Sequence, residues 1–230
     1  MRILLSALIL SLTASPAAAA TRNFTITSFT KIRVNGPYLV KLTTNSAPFA
    51  RATGDSAGLD SVSMSVEGNT LVIRPDRSAW GGYPGQKRGP VEISVGTHDL
   101  ASAWVYGAGS LNIDRVRGLT FELAVEGAGS GSIAVANVDH LRVKIAGTAS
   151  AKISGKALRL TAEVNGSSLL DATELVARDA TIGAEGPAEV KAWITETAKV
   201  NAYGASNVEL SGRPACTSRT YGSASISGCK

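Results

Sequence analysis

The sequence predicts an all-β fold: a single-stranded parallel β-helix, or solenoid, with coils of about 20 residues. Three observations predict it. First, one phrase returns seven times, as VYGAGSLNI, VEGAGSGSI, IAGTASAKI, VNGSSLLDA, AEGPAEVKA, AYGASNVEL and a worn TYGSASISG. Its glycines are Gly107, Gly127, Gly147, Gly166, Gly186, Gly204 and Gly222, spaced 20, 20, 19, 20, 18 and 18 residues apart. A fixed period of this size marks units that bury their apolar side only by stacking on one another. Second, the residues around each glycine alternate. Two positions before it stand Val105, Val125, Ile145, Val164, Ala184 and Ala202. Four before stand Ala103, Leu123, Val143, Ala162, Ile182 and Val200, and six before stand Ala101, Phe121, Leu141, Leu160, Ala180 and Ala198. The positions between carry Glu122, Glu126, Arg142, Lys144, Glu163 and Glu185. Period-2 alternation is the mark of a strand with one buried face. Third, the chain has 24 glycines and only 5% aromatic residues. A thin core of stacked small and branched side chains needs that composition.

Residues 1–20 read as a secretory signal peptide. Arg2 supplies the positive start, Ile3 to Leu12 an apolar run, and Ala18-Ala19-Ala20 a small-residue cleavage site. The run is too short to span a bilayer as a stable helix. No cysteine lies near the site, which argues against a lipoprotein; an uncleaved anchor is the alternative. The mature chain is expected to begin near Thr21 and to reside in the periplasm or at the cell surface, with no membrane span after cleavage. Residues 21–230 are expected to form a single β-helix domain.

Residues 21–100 read as irregular opening coils and a cap. Ile32, Val34, Val40 and Leu42 alternate around Gly36-Pro37. Leu59, Val62, Met64 and Val66 follow, then Leu71 and Ile73 after the Glu67-Gly68-Asn69 turn. A cap is required because an uncovered rung is a template for another chain. Arg74 to Pro90, RPDRSAWGGYPGQKRGP, is rich in glycine and proline and reads as a long projecting loop. It is the expected ligand-binding patch. Trp80 and Tyr83 offer flat apolar faces for sugar rings, and Arg77, Lys87 and Arg88 offer charge for carboxylate or phosphate. The competing reading makes the loop a plain insertion, with Trp80 folded back over the first coils.

Residues 101–230 carry the regular coils, each expected to hold a strand, a glycine corner, a second strand and a turn. The turns are marked by Gly118, Asn137 with Asp139, Gly155, and Ser211-Gly212. Six positions after the glycine, Ile113, Ile133, Ile153, Ala172, Ala192 and Leu210 form another apolar column. In-register stacking sets Glu122 beside Arg142 and Lys144 beside Glu163, read as a solvated face that favours register. The two cysteines, Cys216 and Cys229, flank the last coil. Two cysteines in an exported chain are expected to pair, here locking the end of the stack.

Several phrases together resemble one family. IRVNGPYLVKL at Ile32 to Leu42, VEGNTLVIRP at Val66 to Pro75 and the repeated G-[AST]-[GAS] coils are similar to the putative auto-transporter adhesin, head GIN domain family, a domain of unknown function in bacterial envelope proteins. The resemblance covers nearly the whole mature chain. It implies a right-handed β-helix and brings no established catalytic residues.

The chemistry searched for is sparse. His98 and His140 lack metal-ligand spacing to any cysteine or carboxylate. There is no G-x-S-x-G elbow, P-loop or H-E-x-x-H. No metal or cofactor is expected. A net charge of +5 raises nucleic acid as a partner. Export and the lack of any helix to enter a groove argue against that. An anionic envelope polysaccharide or another envelope protein is the more reasonable partner. The expected function is an exported structural or adhesion-type binding module without turnover. The alternative is a polysaccharide lyase or glycoside hydrolase, since enzymes of both kinds use β-helices. Asp171, Glu174 and Asp179 are the carboxylates it would draw on.

Overall fold

The computed structural model describes residues 20–76 and 89–230. Among them, sixteen strands join one continuous sheet wound into a solenoid. The regular part is built from five long strands: β9 (Ser110–Gly127), β10 (Ser130–Gly147), β11 (Ser150–Gly166), β12 (Leu169–Glu185) and β13 (Glu189–Gly204). Each runs from one glycine corner to the next and pairs in parallel with the one before it. Gly127 pairs with Gly107 and Gly147 with Gly127 and Gly166, so the sequence period is the rung period. Phe121, Leu123 and Val125 point inward and are fully buried, as are Ile133, Ile153, Ala172 and Ala192 six places after their glycines.

Of the expected turns, Ser211-Gly212 does separate β14 from β15, but those at Gly118, Asn137 with Asp139, and Gly155 are not breaks. Pairing continues through them, with Asn137 opposite Arg117 and Val138 opposite Gly118. Gly118 and Gly155, at φ +129° and +124°, bend strands that stay paired, Gly118 with β10 alone and Gly155 with both β10 and β12. His140, expected at a turn, is in register with Thr120 and Arg159 inside the sheet. Ala101 departs from its column: it precedes the first regular strand and is exposed.

The N-terminal end is more tangled than its alternation suggests. On one side the ladder runs through β5 (Val62–Glu67), β6 (Thr70–Pro75), β2 (Lys31–Asn35) and β8 (Ser102–Gly107) to β9. On the other it runs through β1 (Ala20–Phe24), β4 (Phe49–Gly54), β7 (Glu92–Gly96) and β3 (Leu39–Thr43) to β9. The outermost pairings, β5 with β6 and β4 with both β1 and β7, are antiparallel. They close that end of the parallel stack. Leu59 is not in a strand as its spacing suggests. It is buried in α1 (Ser56–Asp60), which Asp55 caps by accepting from the Gly58 N–H at 2.8 Å.

The C-terminal end is finished by β14 (Asn207–Ser211), β15 (Ala215–Gly222) and β16 (Ser225–Ser227). Here the inward columns change character. Val200 is followed by Ser218, and Ala202 by Thr220, both exposed. A last rung that turns hydroxyls where its predecessors turn aliphatic groups presents a wettable end. The expected disulfide is present: Cys216 and Cys229 are bonded, tying β15 to the residues after β16.

Candidate functional site

The stacked C-terminal halves of the long strands make one broad face. Alternation fixes which side chains it shows. Residues 121, 123 and 125 and their equivalents fill the core, so the alternate positions 120, 122 and 126 and theirs face outward, while Ala124 on that side is covered by its neighbours. Four outward ladders result. They run Thr120–His140–Arg159–Asp179–Thr197 and Glu122–Arg142–Thr161–Thr181–Lys199–Thr217, then Lys144–Glu163–Gly183–Asn201–Arg219 and Asn165–Glu185–Tyr203–Tyr221.

Two open depressions lie on this face. One, of about 320 Å³, is lined by Glu122, Arg142, Lys144, Thr161 and Glu163. The other, of about 510 Å³, is lined by Arg159, Asp179, Thr181, Thr197, Lys199 and Thr217, over a floor of Ala180, Ala198 and Cys216. The inward column beneath shrinks from Leu141 and Leu160 to Ala180 and Ala198 as the larger depression begins.

The charges differ in how far they are committed. Lys144 Nζ lies 3.5 Å from Glu163, the pair expected from register. Arg142 stands beside Glu122 in register, as expected. Asp179 accepts from the Thr197 hydroxyl at 2.6 Å and from Arg178 at 3.0 Å. Those bonds, with Arg178 and Arg159 nearby, hold its carboxyl below the usual range. Arg159, Lys199 and Arg219 make no hydrogen bond or ion pair to any described residue.

The carboxylates proposed for an enzyme are each held by neighbouring hydrogen-bond donors. Glu174 accepts from the Ser154 hydroxyl at 2.8 Å and pairs with Lys152 at 3.1 Å; the serine bond, then the lysine, lower its pKa. Asp171 is lowered chiefly by the Thr173 hydroxyl at 2.6 Å. All three carboxylates are therefore biased towards the ionised form. A glycosidic general acid needs the opposite bias. Among the described residues no group of three histidine, cysteine or acidic side chains gathers to hold a metal.

The patch predicted from sequence, Arg77, Trp80, Tyr83, Lys87 and Arg88, lies outside the described residues. Its roots are described. Arg74 and Pro75 still belong to β6, with Arg74 3.5 Å from Glu67, so the strand runs further than the sequence suggests. The Asp76 N–H donates to the Ser61 carbonyl at 2.8 Å, and the Gly89 N–H to the Asp55 carboxylate at 3.2 Å. Both ends of the loop are thus pinned around α1.

Sequence reasoning missed one feature. Tyr203 and Tyr221 stack with ring centroids 5.0 Å apart and planes within 3°. Both stand immediately before a repeat glycine, in a column whose other members are Tyr106, Glu126, Ala146, Asn165 and Glu185. Reading the repeat down its outward columns exposes the pair.

Comparison with known proteins follows the fold closely. The family model described as putative auto-transporter adhesin, head GIN domain, matches residues 28–214. No curated protein matches the chain in sequence. Among solved structures, a putative adhesin from Bacteroides fragilis superposes with a TM-score of 0.78 at 16% identity, covering 92% of this chain and 97% of that one. A putative lipid binding protein from Parabacteroides distasonis gives a TM-score of 0.68 at 22% identity, covering 90% and 95%. A putative adhesin from Parabacteroides merdae gives 0.65 at 15%, covering 90% and 95%. Likeness at these identities speaks for the fold alone.

Proposed function

We infer that this chain, which belongs to the putative auto-transporter adhesin, head GIN domain family, is an exported envelope module that binds its ligand and does not transform it. The observation carrying this reading is the outward face itself. A scaffold of stacked strands displays hydroxyls and unpaired cations along two shallow depressions, while Asp171, Glu174 and Asp179 accept hydrogen bonds from neighbouring hydroxyls. Such a surface has donors and charge for recognition.

The ligand class is an anionic envelope polysaccharide, with another envelope protein as the second candidate. Lipid is named only for the Parabacteroides distasonis structure, and nothing on this face favours it. The loop of residues 77–88 is the proposed first contact. It springs from pinned roots at the capped end, and loops on a rigid scaffold commonly carry recognition. Export rests on the signal-like residues 1–20 and on family membership. No helix among the described residues is long and apolar enough to cross a membrane.

Two experiments test this. Mass spectrometry of the envelope-derived protein should find the N-terminus at or next to Thr21; an intact 1–20 segment would mean an anchor. A glycan array with purified residues 21–230 should show retention of acidic polymers. Trp80→Ala with Tyr83→Ala should weaken it while melting stays unchanged. Unchanged binding with a lowered Tm would show that the aromatics cover the core, and the loop would lose its role.

A further inference from the structure

We propose that the last four rungs of the outward face form a second binding site, specific for the carboxylate-bearing sugars of a linear acidic polysaccharide. It rests on the reading of the chain as a binding module, and it lies far from β6, the strand that leads into residues 77–88. Residue 77 follows β6, and β11, where the site begins, is five rungs further along the stack, about 24 Å at the usual strand spacing.

Three features converge there. The first is charge without partners. Arg159 and Lys199 line the larger depression, and Arg219 stands on the next rung, opposite Asn201. None of the three makes a hydrogen bond or ion pair with a described residue, although Arg159 stands in register beside Asp179, whereas Lys144, Lys152, Arg178 and Lys191 are all paired. The single acid in the depression, Asp179, is already occupied by Thr197 and Arg178. A guanidinium and an ammonium with free donors favour a carboxylate ligand.

The second feature is a row of neutral hydroxyls between those charges. Thr181 stands opposite Lys199 on one side, and Thr217 on the other. They suit the hydroxyl groups of a sugar, which both donate and accept.

The third is the tyrosine pair. Tyr203 and Tyr221 are 43% and 55% exposed although they stack on each other. They stack along the solenoid axis because they are register partners, and among the described residues β15 pairs with β13 alone. The far face of Tyr221 therefore has no rung above it. Along β15, Thr217, Arg219 and Tyr221 project to the same side at alternate positions. A saccharide laid along the strand meets hydroxyl, cation and aromatic plane in turn. The wettable last rung, with Ser218 and Thr220 in place of aliphatic residues, suits a hydrated glycan better than an apolar protein surface.

The test uses the folded chain 21–230 with polygalacturonate oligomers as the acidic probe and galactose oligomers of equal length as the neutral one. The proposal expects binding of the acidic oligomer at least tenfold tighter than the neutral one. Arg159→Gln with Lys199→Gln should lower it at least tenfold, and Arg159→Lys with Lys199→Arg should restore part of it. Tyr221→Ala should weaken binding without moving Tm. Equal loss with dextran sulfate, and no effect of Tyr221→Ala, would show a nonspecific cation patch and overturn the site. Binding that survives the charge variants but disappears in Trp80→Ala with Tyr83→Ala would also overturn it, while leaving the binding-module reading intact. No binding of the acidic oligomer by the wild type overturns this site, whereas the wider reading fails only if the whole array is silent.

Discussion

Gly147 shows how the repeat is enforced one residue at a time. Its φ is +96°, and a Cβ there would sit 2.5 Å from the Gly127 carbonyl oxygen of the rung beneath. Two penalties coincide, a left-handed backbone and a backbone clash across the rung spacing. Gly147→Ala should cost roughly 2 kcal/mol or more. Gly68 has φ +62° and open space around it, so Gly68→Asn should cost well under about 1 kcal/mol. Urea melts of the two variants check the contrast. The ionised carboxylates set a pH limit at the same scale. Asp171, Glu174 and Asp179 bind protons more weakly folded than unfolded, so their stabilisation is full above the ordinary carboxylate value near 4. It is lost as pH falls through the lowered native values. Tm should hold from neutrality to about pH 5 and fall below about pH 4. Asp171→Asn with Glu174→Gln should flatten that acid limb. An unchanged limb would remove these groups from the account.

At the scale of elements, the long strands are held by columns of inward side chains. Phe121 is fully buried and in register with Leu141 on the next rung. Phe121→Ala should cost about 3–5 kcal/mol, read as a lowered denaturation midpoint. The Cys216–Cys229 bond closes the last coil, where β15 pairs on one side only. In the chain-entropy model a loop of this size contributes about 3 kcal/mol. Reduction should raise amide exchange in β15 and β16 before it changes exchange in β10 or β11. How much of this was legible follows from the same columns. The glycine spacing and the alternation of Phe121, Leu123 and Val125 stated the parallel stack, the inward face and the register of Lys144 with Glu163. The rung order at the N-terminal end was not legible. Ile32 and Val34 alternate like Leu71 with Ile73 and like Ala103 with Val105, so nothing local says that β2 lies between β6 and β8. Leu59 was misread because one apolar residue fits a strand or a single helical turn equally well. The tyrosine stack was hidden because Tyr203 and Tyr221 are neighbours only across rungs.

The whole molecule is a one-dimensional stack with unlike ends. Antiparallel strands and α1 close the first end, and a hydroxyl-bearing, disulfide-tied rung finishes the other. Between them a straight outward face offers the same polymer a repeated set of contacts, which suits adhesion to an extended ligand more than enclosure of a small one. The claim that binds these parts together is recognition without turnover. Its most direct test is to incubate the folded chain with acidic and neutral polysaccharides, following the bound fraction by sedimentation and polymer length by size exclusion. Retention of an acidic polymer at unchanged length is the expected result. Steady shortening of the polymer, abolished by Asp179→Asn or Glu174→Gln, would contradict it.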